Sequence, residues 1–147
     1  MPDISRKELA KYRIEKAETC YTAAKNLAED GLYADSANRS YYAIFNAVRA
    51  VLALDQIDFK KHSAVISYFQ KNYVKTGIFE PIYSDIIRDA FSIRQDCDYE
   101  DFFVISIEES IEQVENSRIM IDAVKNYVDA YEMSSENQED INLDEKQ

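Results

Sequence analysis

The sequence predicts an all-α protein, an up-and-down bundle of four main helices with a short fifth. Three observations carry this. Only two glycines and two prolines occur in 147 residues, so little in the chain interrupts helix growth. Apolar residues recur at alternating three- and four-residue steps in the long stretches, the spacing that lines one face of a helix. Charged residues make up 31% of the chain, and they fall largely between those apolar positions. The length suits one domain with its own core.

The first helix is expected from about Ser5 to Glu29. Ser5 and Glu8 match a capping box, and Gly31 stands where a left-handed C-terminal residue belongs. Ala10, Ile14, Ala17, Tyr21, Ala24 and Ala28 form a stripe of mostly small side chains that permits close helix contact. The second helix, Tyr33 to Leu54, is apolar on nearly every side and therefore belongs in the centre of the bundle. Its one polar line is Asp35, Arg39, Tyr42, Asn46 and Arg49, which stack on one face and look onto water or a polar groove. A short connection, residues 55–61, leads to a third helix over His62 to Val74, closed by Gly77. Pro81 opens the fourth, which runs to about Tyr99. The fifth spans about Ile105 to Tyr131 on a stripe from Ile107 to Tyr131. Residues 132–147 are polar and acidic without periodicity, and read as a disordered tail after a helical domain over 1–131.

The net charge of −11 is uneven. Residues 1–99 hold 14 acidic and 14 basic side chains, 100–131 hold 8 against 2, and 132–147 hold 6 against 1. The acidity belongs to the last helix and the tail, which opposes broad charge-driven binding to nucleic acid but leaves room for a local site. Lys60, Lys61, His62, Lys71 and Lys75 make the one basic cluster of note, and read as ordinary solvated lysines around a histidine. Cys20 and Cys97 lack metal-ligand spacing and fit free thiols in a reducing compartment. No apolar leader and no membrane span is visible, so a cytoplasmic protein is expected. One histidine, scattered cysteines and no clustered carboxylates give no basis for a metal or other cofactor.

The fourth helix gives the sharpest signal. At 100° per residue, Ile82, Tyr83, Ile86, Ile87, Ala90, Phe91, Ile93 and Cys97 share one arc, and Arg94 lands inside it. A cation there needs a partner or a site. Asp98, one turn later, can supply the pair, so Arg94 either closes a structural or dimer-interface ion pair or faces a groove. His62 lies at a helix N-terminus, which disfavours its charged form; it reads as a hydrogen-bonded cap or as a catalyst.

The segments DAFSIRQDCDYEDF, SANRSYYAIFNAVRAVL and KKHSAVISYFQKNYVKTG together resemble the HEPN family (higher eukaryotes and prokaryotes nucleotide-binding domain) over residues 5–130. The resemblance implies a four- to five-helix bundle, a homodimer, and a minimal nucleotidyltransferase as partner in a toxin–antitoxin or defence-type pair. Many toxins of the family are metal-independent ribonucleases whose Arg is followed after four to six residues by His. Arg94 would be that arginine, but the positions for the histidine hold Tyr99, Glu100 and Asp101. The pattern here is Arg-x-x-x-Asp-Tyr, which resembles a separate branch in which Arg94, Asp98, Tyr99, the Arg-Ser-Tyr-Tyr of the second helix and His62 recur.

The expected function is therefore nucleotide or RNA binding by a dimer, with Arg94, Arg39, His62, Tyr42 and Tyr99 at the site, Asp98 orienting Arg94, and Arg49 in plain solvent. Two alternatives stand beside it. One is a metal-independent endoribonuclease using Arg94 with His62 or Asp98, although Arg is no base near neutral pH and Asp98 serves as one only when free of Arg94. The other is a non-catalytic scaffold or antitoxin-like partner. AMP transfer from a nucleotidyltransferase onto a tyrosine such as Tyr99 is a further expectation to test.

Overall fold

A computed structural model describes residues 5–145, with side chains described through residue 134. The described residues contain five α-helices: α1 (Arg6–Glu29), α2 (Tyr33–Leu54), α3 (His62–Phe69), α4 (Pro81–Tyr99) and α5 (Ile107–Glu145). α3 does not continue as an α-helix to Val74. Gln70–Val74 is a π-helical turn, in which the Lys75 amide reaches back to the Gln70 carbonyl. The Asn72 side-chain amide donates to the Tyr68 carbonyl, and Gln70 Nε2 donates to Ser84 Oγ, tying this turn to α4.

Local chemistry fixes the ends. Ser5 Oγ accepts from the Glu8 amide at 3.1 Å, as its spacing predicts. After α1 the Leu32 amide bonds the Leu27 carbonyl and the Gly31 amide bonds the Ala28 carbonyl, a Schellman closure with Gly31 at φ 80°. The same two bonds close α2, but the left-handed residue is Gln56 (φ 58°), which no glycine marks in the sequence. α5 starts with its stripe at Ile107, two residues later than the expected boundary, because Ser106 caps it: Ser106 Oγ accepts from the Glu109 amide and donates to Glu109 Oε1. Ser-x-x-Glu at 106–109 was the available signal.

α5 also runs past Tyr131 to Glu145. No Gly or Pro in 107–145 stops it, and residues 146–147 of the expected tail lie outside the described residues.

α2 is the central helix and packs on α1, α3, α4 and α5. Fifteen of its 22 residues are buried. The small stripe of α1 does what its composition predicts: Ala10, Ala17 and Ala24 are fully enclosed, as are Ala43, Ala47 and Ala50 on α2. Ser36 Oγ donates to the Ala24 carbonyl at 2.7 Å across this seam. On the far side Glu18 of α1 takes both Arg118 and Lys125 of α5, and Arg118 Cζ lies 4.8 Å from the centre of the Tyr21 ring.

Candidate functional site: an arginine–tyrosine cluster at the α2–α4 crossing

The seam leaves the Arg39–Tyr42 end of α2 facing α4, and four of the expected residues meet there. Arg94 Nη2 donates to Tyr42 Oη at 3.2 Å. The Arg94 guanidinium carbon lies 5.2 and 5.4 Å from the ring centres of Tyr41 and Tyr42, and that of Arg39 lies 5.1 Å from Tyr42. Such placements are favourable for a cation over an aromatic ring. The Arg94 side chain is 16% exposed. Asp98 Oδ2 sits 3.1 Å from its Nε, yet the Nε–H is not aimed along that line and has no hydrogen-bond acceptor among the described residues. Asp98 also accepts from Asn38 Nδ2 at 3.3 Å, while Asn38 Oδ1 accepts from Arg39 Nη2. The outcome is a closed circuit of Arg39, Asn38, Asp98, Arg94 and Tyr42, with two guanidinium groups to one carboxylate.

His62 joins from the start of α3. Its Nδ1 is 2.8 Å from Tyr41 Oη, and its ring stacks on Phe45 at 4.1 Å between centres. Tyr41 is fully enclosed, and burial holds its phenol well above the ordinary range. Burial, followed by the neighbouring Arg94 and Arg49 cations, pushes the His62 pKa below 6.5. A protonated phenol can donate to a neutral imidazole; with Tyr41 as the donor it occupies Nδ1 and the ring proton resides on Nε2. In this state the free nitrogen of His62 is a donor, suited to an anion and unsuited to taking a proton.

The sign of the pH effect follows. The unfolded imidazole accepts a proton more readily than the folded one, so the contribution of His62 is whole above about pH 6.5 and declines as pH falls below it. The melting temperature of wild type minus that of His62→Gln should shrink between about pH 7.5 and 5. A flat difference would contradict this account of the ring.

Tyr99 is not brought in. It is 72% exposed at the end of α4, with no hydrogen bond or ring contact among the described residues. Within the polar line of α2, Asp35 is exposed and Asn46 folds back onto the Tyr42 carbonyl. Arg49, expected to be plain solvent, is half-buried: it pairs with Asp58 at 3.2 Å, and its Nε is buried without a hydrogen-bond partner among the described residues. Phe45, Asn38 and Tyr41 were not singled out from the sequence. Nor was Arg13, which is 8% exposed, donates to the Arg49 carbonyl at 3.0 Å and reaches Asp58 at 3.4 Å. On the wheel Arg13 borders the apolar arc of α1 about 20° beyond Ala24, so the wheel that isolates Arg94 brings it to the arc's edge.

Both cysteines are free, and burial raises each thiol above its ordinary pKa. Among the described residues no group of three or more His, Cys, Asp or Glu could hold a metal ion, and no helix is long and apolar enough to cross a membrane.

The HEPN domain family model matches residues 10–127. The chain belongs to the HEPN family. Two similar proteins of Methanocaldococcus jannaschii each carry the name "Putative toxin". One is 33% identical over 123 residues, 84% of this chain and 83% of that protein. The second is 42% identical over 86 residues, 58% of this chain and 64% of that protein. A UPF0332 protein of Thermotoga maritima is 26% identical over 124 residues, 84% of this chain and 94% of its own. The all-helical fold agrees with HEPN membership, and names of this kind fit a toxin-type HEPN protein. Arg94 and His62 both touch Tyr41, Arg94 over its ring and His62 at its hydroxyl.

Proposed function

We propose that this HEPN protein binds RNA or a nucleotide through the Arg94–Tyr42–Arg39 cluster, as a homodimer paired with a minimal nucleotidyltransferase in a toxin–antitoxin or defence-type system of the cytoplasm. The observation that carries the reading is Arg94 itself: a guanidinium largely withdrawn from water, seated over two tyrosine rings, with its Nε ion-paired to Asp98 and its Nη1 without a hydrogen bond among the described residues. Such a group keeps its donors for a bidentate acceptor such as phosphate. Asp98 holds the guanidinium in place, Arg39 adds a second cation, and His62 offers an Nε2 donor. The toxin names of the relatives support the two-component setting. The apolar stretch of Phe102, Phe103, Val104 and Ile107, with Phe102 fully exposed at φ 63°, supplies surface for the dimer or the partner.

The test is fluorescence anisotropy of labelled single-stranded RNA titrated with pure protein at several salt concentrations, with chelator present. Binding should weaken with a log–log salt slope of roughly −0.7 per phosphate engaged. The shared contact of His62 and Arg94 with Tyr41 favours a second reading, the metal-independent endoribonuclease with His62 Nε2–H as donor rather than base; cleavage in the same tubes leaving a 2′,3′-cyclic phosphate would establish it. Neither binding nor cleavage, with or without a nucleotidyltransferase partner, rejects both.

A further inference from the structure

On the other side of His62 a cleft of about 340 Å³ opens between α2 and the α2–α3 connection. Phe45, Arg49, Asp58, Phe59, Lys60 and His62 line it. We infer that this cleft is a second subsite, distinct from the Arg94 cluster, that takes one nucleotide: the base against Phe59, the phosphate on Lys60 and Arg49.

The chemistry of the walls selects that ligand class. Two sides are flat aromatic surface, since Phe45 carries the stacked His62 ring and Phe59 is part-exposed 5.5 Å from Tyr68. Any of the four bases offers a π-face to such a wall. The remaining groups are donors. Asp58 is the only acidic residue in the lining, and its oxygens are already taken by Arg13, Arg49 and the Phe59 amide. It acts as a positioning residue for Arg49 and leaves the cleft cationic. Arg49 lines the cleft with only its Nη2 engaged, on Asp58, and Lys60 has no ion-pair partner among the described residues. The solvated lysine expected from the sequence is therefore at the mouth of a shaped cavity. A flat ring joined to an anion fits; an uncharged apolar molecule would strand these donors. The volume lies at the lower end for small-molecule sites.

This subsite rests on the nucleotide-binding reading given above. One nucleotide could arrive free or within a single strand, and the test separates the two sources. Wild type, Phe59→Ala, Lys60→Ala and Arg94→Ala are titrated with AMP by calorimetry and with single-stranded RNA by anisotropy, with thermal melts confirming folding. Phe59→Ala should weaken binding by roughly 5- to 100-fold, the range for one stacked base. Lys60→Ala should flatten the salt slope by roughly 0.7. Loss by both on RNA identifies a strand residue; loss on AMP alone identifies a free nucleotide, and either supports the subsite. If Arg94→Ala loses RNA while Phe59→Ala and Lys60→Ala match wild type on both probes, the subsite is wrong and the Arg94 reading stands. If wild type binds neither probe, both fall.

Discussion

Arg94→Ala is expected to lower affinity for single-stranded RNA or nucleotide by roughly 30- to 4,000-fold, the range for removing a desolvated charge-assisted contact. Helix content should not change. The ion pair lost with it is an i,i+4 contact whose carboxylate is one-third exposed, and pairs of this kind contribute little to stability. The two ring contacts add about 0.5–2 kcal/mol each, so the melting temperature should fall by several degrees. Arg94→Lys should recover little binding, because an ammonium lacks the planar fork that lies over Tyr41 and Tyr42 and faces an anion with two parallel donors. Equilibrium titration beside a thermal melt decides the matter. A large drop in melting temperature with unchanged affinity would make Arg94 a structural residue and support the scaffold alternative.

Tyr41 should give the largest loss of stability. It is fully enclosed at the junction of α2, α3 and α4, touching Tyr42, Phe45, His62 and Phe91. Tyr41→Ala removes an aromatic ring from that junction and leaves a cavity, at a cost of about 3–5 kcal/mol, seen as a melting point lower by roughly 10 °C or more. Tyr41→Phe retains the ring and isolates the hydroxyl. It should cost about 1–2 kcal/mol, because His62 Nδ1 is left half-buried without its donor. Nitrogen NMR of the imidazole should report Nε2–H as the dominant neutral tautomer in wild type and a mixture in Tyr41→Phe. An unchanged tautomer ratio would remove Tyr41 from its proposed control of the histidine.

Helix periodicity made most of this architecture legible. The Ala10–Ala17–Ala24 stripe and the all-round apolar character of α2 state in advance which two helices lie closest and which one is central. Arg94 was legible for the same reason, since a cation inside an apolar arc is visible on a wheel. What the pattern did not carry is the third dimension at the connections. Gln56 takes a left-handed turn that sequence rules reserve for glycine, and this turn swings residues 57–61 back so that Asp58 meets Arg49 and Arg13. Arg49 was therefore read as solvated when its partner lies nine residues on, beyond the helix end. Tyr41 was visible only as part of the Arg-Ser-Tyr-Tyr motif: in a helix buried nearly everywhere its ring draws no notice on periodicity, and its contact with His62 gives it a role. The π-helical turn at Gln70–Val74 has no periodic signature in five residues.

The alanine seam between α1 and α2 has a kinetic consequence. The two helices are joined by a three-residue turn with its own hydrogen-bonded closure, so their contacts cost little loop entropy and suit early formation. Arg39, Tyr41 and Tyr42 ride on that hairpin, whereas Arg94 arrives from 52 residues beyond Tyr42. We expect the tyrosine half of the cluster to be built before its arginine half. Amide exchange should then protect the α1–α2 pair more strongly than α4, and a site whose last component sits on the less protected helix can be opened without unfolding its foundation.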